Sequence, residues 1–181
     1  MNYLLALFYI LASFIANEPK FEIQEIDSDV AIGYGLAIGD VDGDGKDDIL
    51  LADKKAIVWY RNGDWEKHVM AENLTSSDNV CIAARDLDGD GKVEVAVGAQ
   101  WNPGETSDTI KSGAVFYLIR PADPTQKWTA KPLHHEPTTH RMRWAKIGNS
   151  SPRFVSSRNG ITFTHQCILT DQTSTFNWAS P

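Results

Sequence analysis

From Tyr34 onward the chain alternates short apolar runs with clusters of Gly, Asp, Asn and Pro. The runs are rich in β-branched and aromatic residues and change side every second position, a period that suits strands and not the 3.6-residue period of a helix. Eight strands are expected: Tyr34–Gly39, Asp48–Ala52, Ala56–Tyr60 and Trp65–Met70, then Val80–Arg85, Val93–Ala99, Ala114–Ile119 and Trp128–Leu133. No stretch after the first 16 residues carries a helical period.

The two sets of four are copies of one unit. Gly35-Leu-Ala-Ile-Gly-Asp-Val-Asp-Gly-Asp-Gly-Lys-Asp-Asp-Ile-Leu-Leu51 aligns without gaps on Cys81-Ile-Ala-Ala-Arg-Asp-Leu-Asp-Gly-Asp-Gly-Lys-Val-Glu-Val-Ala-Val97, which places Asp40 on Asp86 at an offset of 46 residues. Four-stranded units repeated at this spacing are the signature of propeller blades. Blade one is expected over residues 34–70 and blade two over 80–133. A partial third blade is expected over 139–149, opened by His140-Arg-Met-Arg-Trp-Ala-Lys-Ile-Gly-Asn149. The segment Phe21–Asp27 (FEIQEID) is expected to be the outer strand of a missing or closing blade. So few blades cannot close a ring of roughly four to eight. The expected fold is therefore all-β, a partial β-propeller over residues 20–149 that is a fragment of a larger one. Residues 150–181 are Ser/Thr-rich, lack the acidic loop and read as an unassigned tail, truncated or frame-shifted.

The apolar run Tyr3–Ala16 is shorter than the roughly 20 residues a membrane-spanning helix needs. It reads as the hydrophobic region of a signal peptide over residues 1–16, although no Lys or Arg precedes it and Phe14-Ile15-Ala16 is not a small-x-small cleavage site. The chain is thus expected to be secreted, periplasmic or on the cell surface, without a membrane span once mature. Two cysteines, Cys81 and Cys167, make no disulfide framework. Asn73-Leu74-Thr75 and Asn149-Ser150-Ser151 fit the glycosylation pattern of a eukaryotic secretory route. With 42% hydrophobic and 23% charged residues in 181, the chain can bury a core. Its net charge of -7 argues against a nucleic-acid partner.

Much of that acid lies in two loops of the form D-x-D-x-D-G-x-x-[DE]: Asp40, Asp42, Asp44 and Asp48 in the first, Asp86, Asp88, Asp90 and Glu94 in the second. Ca²⁺ takes six to eight oxygens, and carboxylates at alternate positions converge when a Gly lets the chain turn behind them. Carbonyls of Lys46 and Lys92 can add an oxygen each. Two structural Ca²⁺ sites are expected, the second weaker because Glu94 is longer than Asp48. An EF-hand is excluded, since its twelfth position would be Leu51 or Val97, inside a strand.

On the propeller face opposite these loops the sequence places Trp101, Glu105, His134, His135, Glu136 and His140, a set that suits a transition metal such as Zn²⁺ or a sugar stacked on Trp. Small inner-strand residues become basic in the third unit: Gly35 and Cys81 align with Arg141, and Ala37 and Ala83 with Arg143. Guanidinium groups there suit a carboxylate or sugar hydroxyls.

Through its DxDxDG loops the stretch from about Lys20 to Trp144 resembles the FG-GAP/VCBS repeat family of secreted β-propellers, whose blades carry Ca²⁺ between their first two strands. The Phe-Gly and Gly-Ala-Pro elements are replaced by Gly33-Tyr34-Gly35 and Asn79-Val80-Cys81. A narrower resemblance, to the propeller domain of aldos-2-ulose dehydratase-like proteins, runs through Trp101-Asn-Pro-Gly-Glu-Thr-Ser-Asp108 and His135-Glu-Pro-Thr-Thr-His-Arg-Met-Arg-Trp144. Together they imply a secreted calcium-binding repeat module that binds carbohydrate or another small extracellular ligand, or belongs to a sugar-processing protein. Its other partners would be the remaining blades or further copies of the chain. The leading expectation for this chain alone is non-catalytic. The first alternative is a carbohydrate lyase (dehydratase) acting on an oxidised sugar, with His135 or His140 as metal ligand or general base and Arg141 or Arg143 orienting substrate. The second is an extracellular adhesion module.

Overall fold

The computed structural model describes residues 19–146 and the strand backbones of 152–158, 161–170 and 175–179. The expected signal segment 1–16 and the second glycosylation pattern at Asn149 lie outside the described residues. Among the described residues twelve strands form three four-stranded sheets, each a simple antiparallel meander. The first sheet holds β1 (Gly35–Gly39), β2 (Asp48–Ala52), β3 (Ala56–Tyr60) and β4 (Lys67–Glu72). The second holds β5 (Cys81–Arg85), β6 (Glu94–Ala99), β7 (Ala114–Ile119) and β8 (Thr129–Leu133). The third holds β9 (Arg141–Lys146), β10 (Pro152–Arg158), β11 (Ile161–Thr170) and β12 (Thr175–Ala179). No helix occurs among the described residues. The first two sheets have the arrangement of propeller blades in a ring that is not closed. The tail, which carries no repeat signal, supplies β10, β11 and β12, paired in order outward from β9.

Strands β2, β3 and β7 have the expected bounds, while several others begin later, and hydrogen bonding explains why. The Val93 N–H is donated to Asp40 O of the preceding blade (2.8 Å), so β6 starts at Glu94. The Trp128 N–H goes to Met70 O (2.7 Å), so β8 starts at Thr129. Trp65 adopts a positive φ of 57° and donates to Arg61 O (2.8 Å), closing a turn that delays β4 to Lys67.

The core lies between sheets. Leu50, Ile57, Trp59 and Met70 of blade one pack with Ile82, Val95, Val97, Leu118 and Trp128 of blade two in one buried cluster. On its other face blade two packs Cys81, Ala83, Ala96, Val115 and Tyr117 against Met142 and Trp144 of β9. The inner strands β1, β5 and β9 lie side by side in that order.

Among the described residues no sheet covers the far face of blade one, and the expected outer strand Phe21–Asp27 is not a strand. A strand needs a partner edge, and none of the described sheets offers one to this segment; Phe21 and Ile23 are instead exposed. The segment is held to blade one by single contacts. Ile26 packs with Leu51, Val58 and Tyr60. Asp27 accepts hydrogen bonds from Tyr60 Oη (2.6 Å) and Lys67 Nζ (2.7 Å). Further along, the Asp53 carboxylate accepts the Ile32 and Gly33 N–H groups at 2.7 and 3.0 Å. The Lys67 ammonium, the Tyr60 hydroxyl and the Asp29 N–H hold the Asp27 carboxyl down at about 2, below its ordinary 3.8. Because the folded value is depressed, this tether is at full strength above about pH 4 and is lost as the pH falls through 3.8 towards 2. The Tyr60 ring signals in NMR are therefore expected to hold their docked positions down to about pH 3 and then shift, and Asp27→Asn should show the shifted spectrum at neutral pH.

Candidate functional site

The two acidic loops, residues 40–47 joining β1 to β2 and 86–93 joining β5 to β6, repeat the same hydrogen bonds atom for atom. The first Asp closes each turn: Asp40 accepts the Gly43 and Gly45 N–H groups at 2.6 and 2.8 Å, and Asp86 accepts those of Gly89 and Gly91 at 2.6 and 3.0 Å. Asp42 and Asp88 accept from Asp44 and Asp90 at 3.1 and 3.0 Å, and these in turn accept from Lys46 and Lys92, both at 2.8 Å. The glycines at positions four and six of each loop sit at φ between 83° and 87°, which a side chain rarely allows, so the loop has this shape only with Gly there.

At the stem the two loops differ. Asp48 is buried and accepts from Val41 N (2.9 Å) and Asn62 N (2.8 Å). Glu94 is also buried and accepts from Leu87 N (2.8 Å), but its other oxygen takes the Arg120 guanidinium at 3.2 Å. Burial, together with the charges of Asp42 and Asp40, raises the Asp48 carboxyl against the pull of its two N–H donors. Burial pushes Glu94 up to about 7, with the Leu87 N–H and Arg120 pulling the other way. Arg120 stands where blade one has Asn62, as Leu118 stands where it has Tyr60. It also lies over the Trp128 ring at 5.8 Å.

Carboxylate oxygens of Asp40, Asp42 and Asp48 come within 4.8 Å of one another, as do those of Asp86, Asp88 and Asp90. Oxygens about 2.4 Å from one Ca²⁺ lie at most about 4.8 Å apart, so each trio fits that ion. Asp44 is outside the first trio, paired with the Lys46 ammonium at 2.9 Å, and Glu94 is outside the second, turned to Arg120. Lys46 and Lys92, expected to lend carbonyls, bring their ammonium groups back to Asp44 and to Asp90 (3.2 Å).

On the opposite face three loops, residues 73–79, 100–113 and 134–140, are laced together. Gln100 N donates to Thr75 Oγ1 (3.1 Å), Trp101 N to Asp78 O (3.1 Å) and Thr138 N to the Ser112 hydroxyl (3.1 Å). Trp101 and His140 meet as expected, their rings stacked at 4.6 Å and 24°. One face of the indole is thus already covered. His135 turns Nδ1 to Leu133 O (3.2 Å) and Nε2 to Thr109 O (3.0 Å), so neither nitrogen is aimed at a shared metal position. Glu105 accepts from Ser107 N, Ser107 Oγ and Asp108 N and shapes its own loop. His134 is exposed, 3.6 Å from Glu136. Among the described residues, these histidines and acids do not form a third converging ligand group beside the two acidic loops. Arg141 and Arg143 stand with His140 at the start of β9, beside Cys81.

Two features were not anticipated from sequence: Arg120 on Glu94, and the Asp27 and Asp53 tethers of the leading segment. Laying the third strands of the two units together, Asn62 on Arg120, would have found the first.

An open array of four-stranded antiparallel sheets bearing paired acidic loops defines a propeller-repeat protein. Residues 40–97, from the first Asp of loop one to the middle of β6, match the FG-GAP-like repeat family. No curated protein matches the chain.

Proposed function

We propose that the chain is a calcium-binding β-propeller repeat module that works outside the cell and presents the loop face opposite its cation sites to a saccharide. The observation that carries the reading is the pair of acidic trios, each with oxygens within 4.8 Å, set in loops with the same internal hydrogen bonds. Carboxylates so close repel one another, and a divalent cation removes that cost. Extracellular calcium modules work at about 10⁻⁴–10⁻³ M Ca²⁺, which accords with the signal-like run Tyr3–Ala16. The saccharide reading rests on the laced loops around Trp101 and His140, an ordered polar surface on a rigid scaffold. Further blades, or other copies of the chain, would cover the far face of blade one, where Leu36 and Ile38 are exposed.

The reading predicts unequal sites. Loop one uses its stem carboxylate in the trio, while loop two has given Glu94 to Arg120, an internal cation. Calorimetric titration of the full chain with Ca²⁺ should show a tighter site and a weaker one. Asp42→Asn should remove the tighter, and Arg120→Ala should strengthen the weaker several-fold by freeing Glu94. Absence of any Ca²⁺ heat, together with identical thermal unfolding in Ca²⁺ and in chelator, would sink the proposal.

A further inference from the structure

The inner strands of the three sheets start together at one end. An added Cβ at Gly35 would fall 2.9 Å from Cys81 Cα and 3.0 Å from Ile82 N, so the backbones of β1 and β5 are almost in contact there, and only Gly permits it. Beside this junction lies a recess of about 230 Å³, lined by Tyr34 of the first blade, Cys81 of the second and His140, Arg141 and Arg143 of the third.

Its charge runs against that of the molecule. The chain carries a net -7, yet none of the inner strands GLAIG, CIAAR and RMRWAK contains an acidic residue, and no carboxylate is among the described residues that line the recess. Among the described ion pairs neither Arg141 nor Arg143 has a carboxylate partner. Arg143 spends one N–H on Met142 O (2.7 Å), which fixes the guanidinium and leaves most of its donors. The Cys81 thiol supplies no countercharge, since burial pushes it up to about 12 and keeps it neutral. His140 is held in place by its stack on Trp101.

We infer that this recess is an anion site that takes the carboxylate of an acidic saccharide across Arg141 and Arg143, with the Tyr34 hydroxyl and His140 left for the sugar's polar groups. Guanidinium forks match a carboxylate with two parallel hydrogen bonds, which an ammonium cannot do. The inference rests on the saccharide reading above and narrows it to a sugar acid.

The test is calorimetric titration of the full chain, in Ca²⁺, with glucuronate and with glucose. Glucuronate should bind at least 10-fold more tightly than glucose, and more weakly as salt rises. Arg141→Gln with Arg143→Gln should weaken it about 10- to 100-fold, the worth of charge-assisted hydrogen bonds. Arg141→Lys with Arg143→Lys, which keeps the charge, should still bind several-fold more weakly than the parent. Equal binding of the two sugars, no glucuronate binding, or full affinity in either double variant overturns the inference. Thermal unfolding of the same samples in Ca²⁺ and in chelator separates the readings: a calcium shift without glucuronate binding removes the anion site alone, and glucuronate binding without a calcium shift removes the cation loops alone. An unchanged unfolding midpoint in the Gln variant shows that a lost affinity is not lost structure.

Discussion

A chain carrying Asp48→Ala is expected to lose about 1–4 kcal/mol of stability in chelator, because the buried Val41 N–H and the half-buried Asn62 N–H lose their acceptor, while the relief of crowding with Asp40 and Asp42 offsets part of the cost. The carboxylate ties the entry of loop one to the turn after β3, so its removal loosens both. Asp44→Ala removes a solvated neighbour with the same charge and should barely move the denaturation midpoint. Urea denaturation in chelator isolates this structural part. Repeating it in Ca²⁺ should widen the gap between Asp48→Ala and the parent chain, since Asp48 also belongs to the first trio.

Trp59→Ala is expected to cost about 3–5 kcal/mol, the usual range for deleting a fully buried aromatic, and a large fraction of the 5–15 kcal/mol typical of a whole domain. Trp59 is in the cluster shared by the first two blades and lies 4.7 Å from the His68 ring, so the cavity opens between sheets as well as within one. Its Nε1 is buried without a hydrogen-bond partner. Trp59→Phe should therefore recover most of the loss, since it keeps a ring in place and discards the orphaned N–H. Paired urea melts of the two variants check this. A Phe variant as unstable as the Ala variant would mean that the indole fits its site in a way the smaller ring cannot.

The strands of the first two blades were legible because each has one strong period-two run and a turn cluster on either side. Where the bounds moved, as at Val93 and Trp128, the cause was an N–H donated to the neighbouring blade, which local pattern cannot contain. The acidic loops and the turn at Gly45 and Gly91 were legible from spacing, but which carboxylates converge was not: Asp44 stands outside the first trio and Glu94 outside the second. The expectation of a weaker second site rested on the extra methylene of Glu94; the contact of Glu94 with Arg120, 26 residues away across the sheet, is a difference between the loops that local spacing does not carry. The leading segment Phe21–Asp27 has a good strand pattern, yet pairing needs an edge that the described chain does not offer. Strands β10 to β12 were illegible because the repeat is recognised by its acidic loop, which the third unit lacks. On the opposite face, proximity was anticipated for Trp101 and His140. The use of His135 and Glu105 as loop braces depends on carbonyl and N–H positions that follow only from the folded backbone.

Two backbone hydrogen bonds that cross between the first two blades, Val93 N to Asp40 O and Trp128 N to Met70 O, bear on how the protein comes apart. They sit at both ends of a shared apolar cluster, so neither blade can open without stranding donors or acceptors of the other. Cutting the chain at residue 79 would not release two independent modules, although the repeat boundary lies there. The pair should behave as one cooperative unit, its central amides in β2, β3, β6 and β7 exchanging with solvent at a common, slow rate. The smallest piece worth expressing is then two repeats, not one.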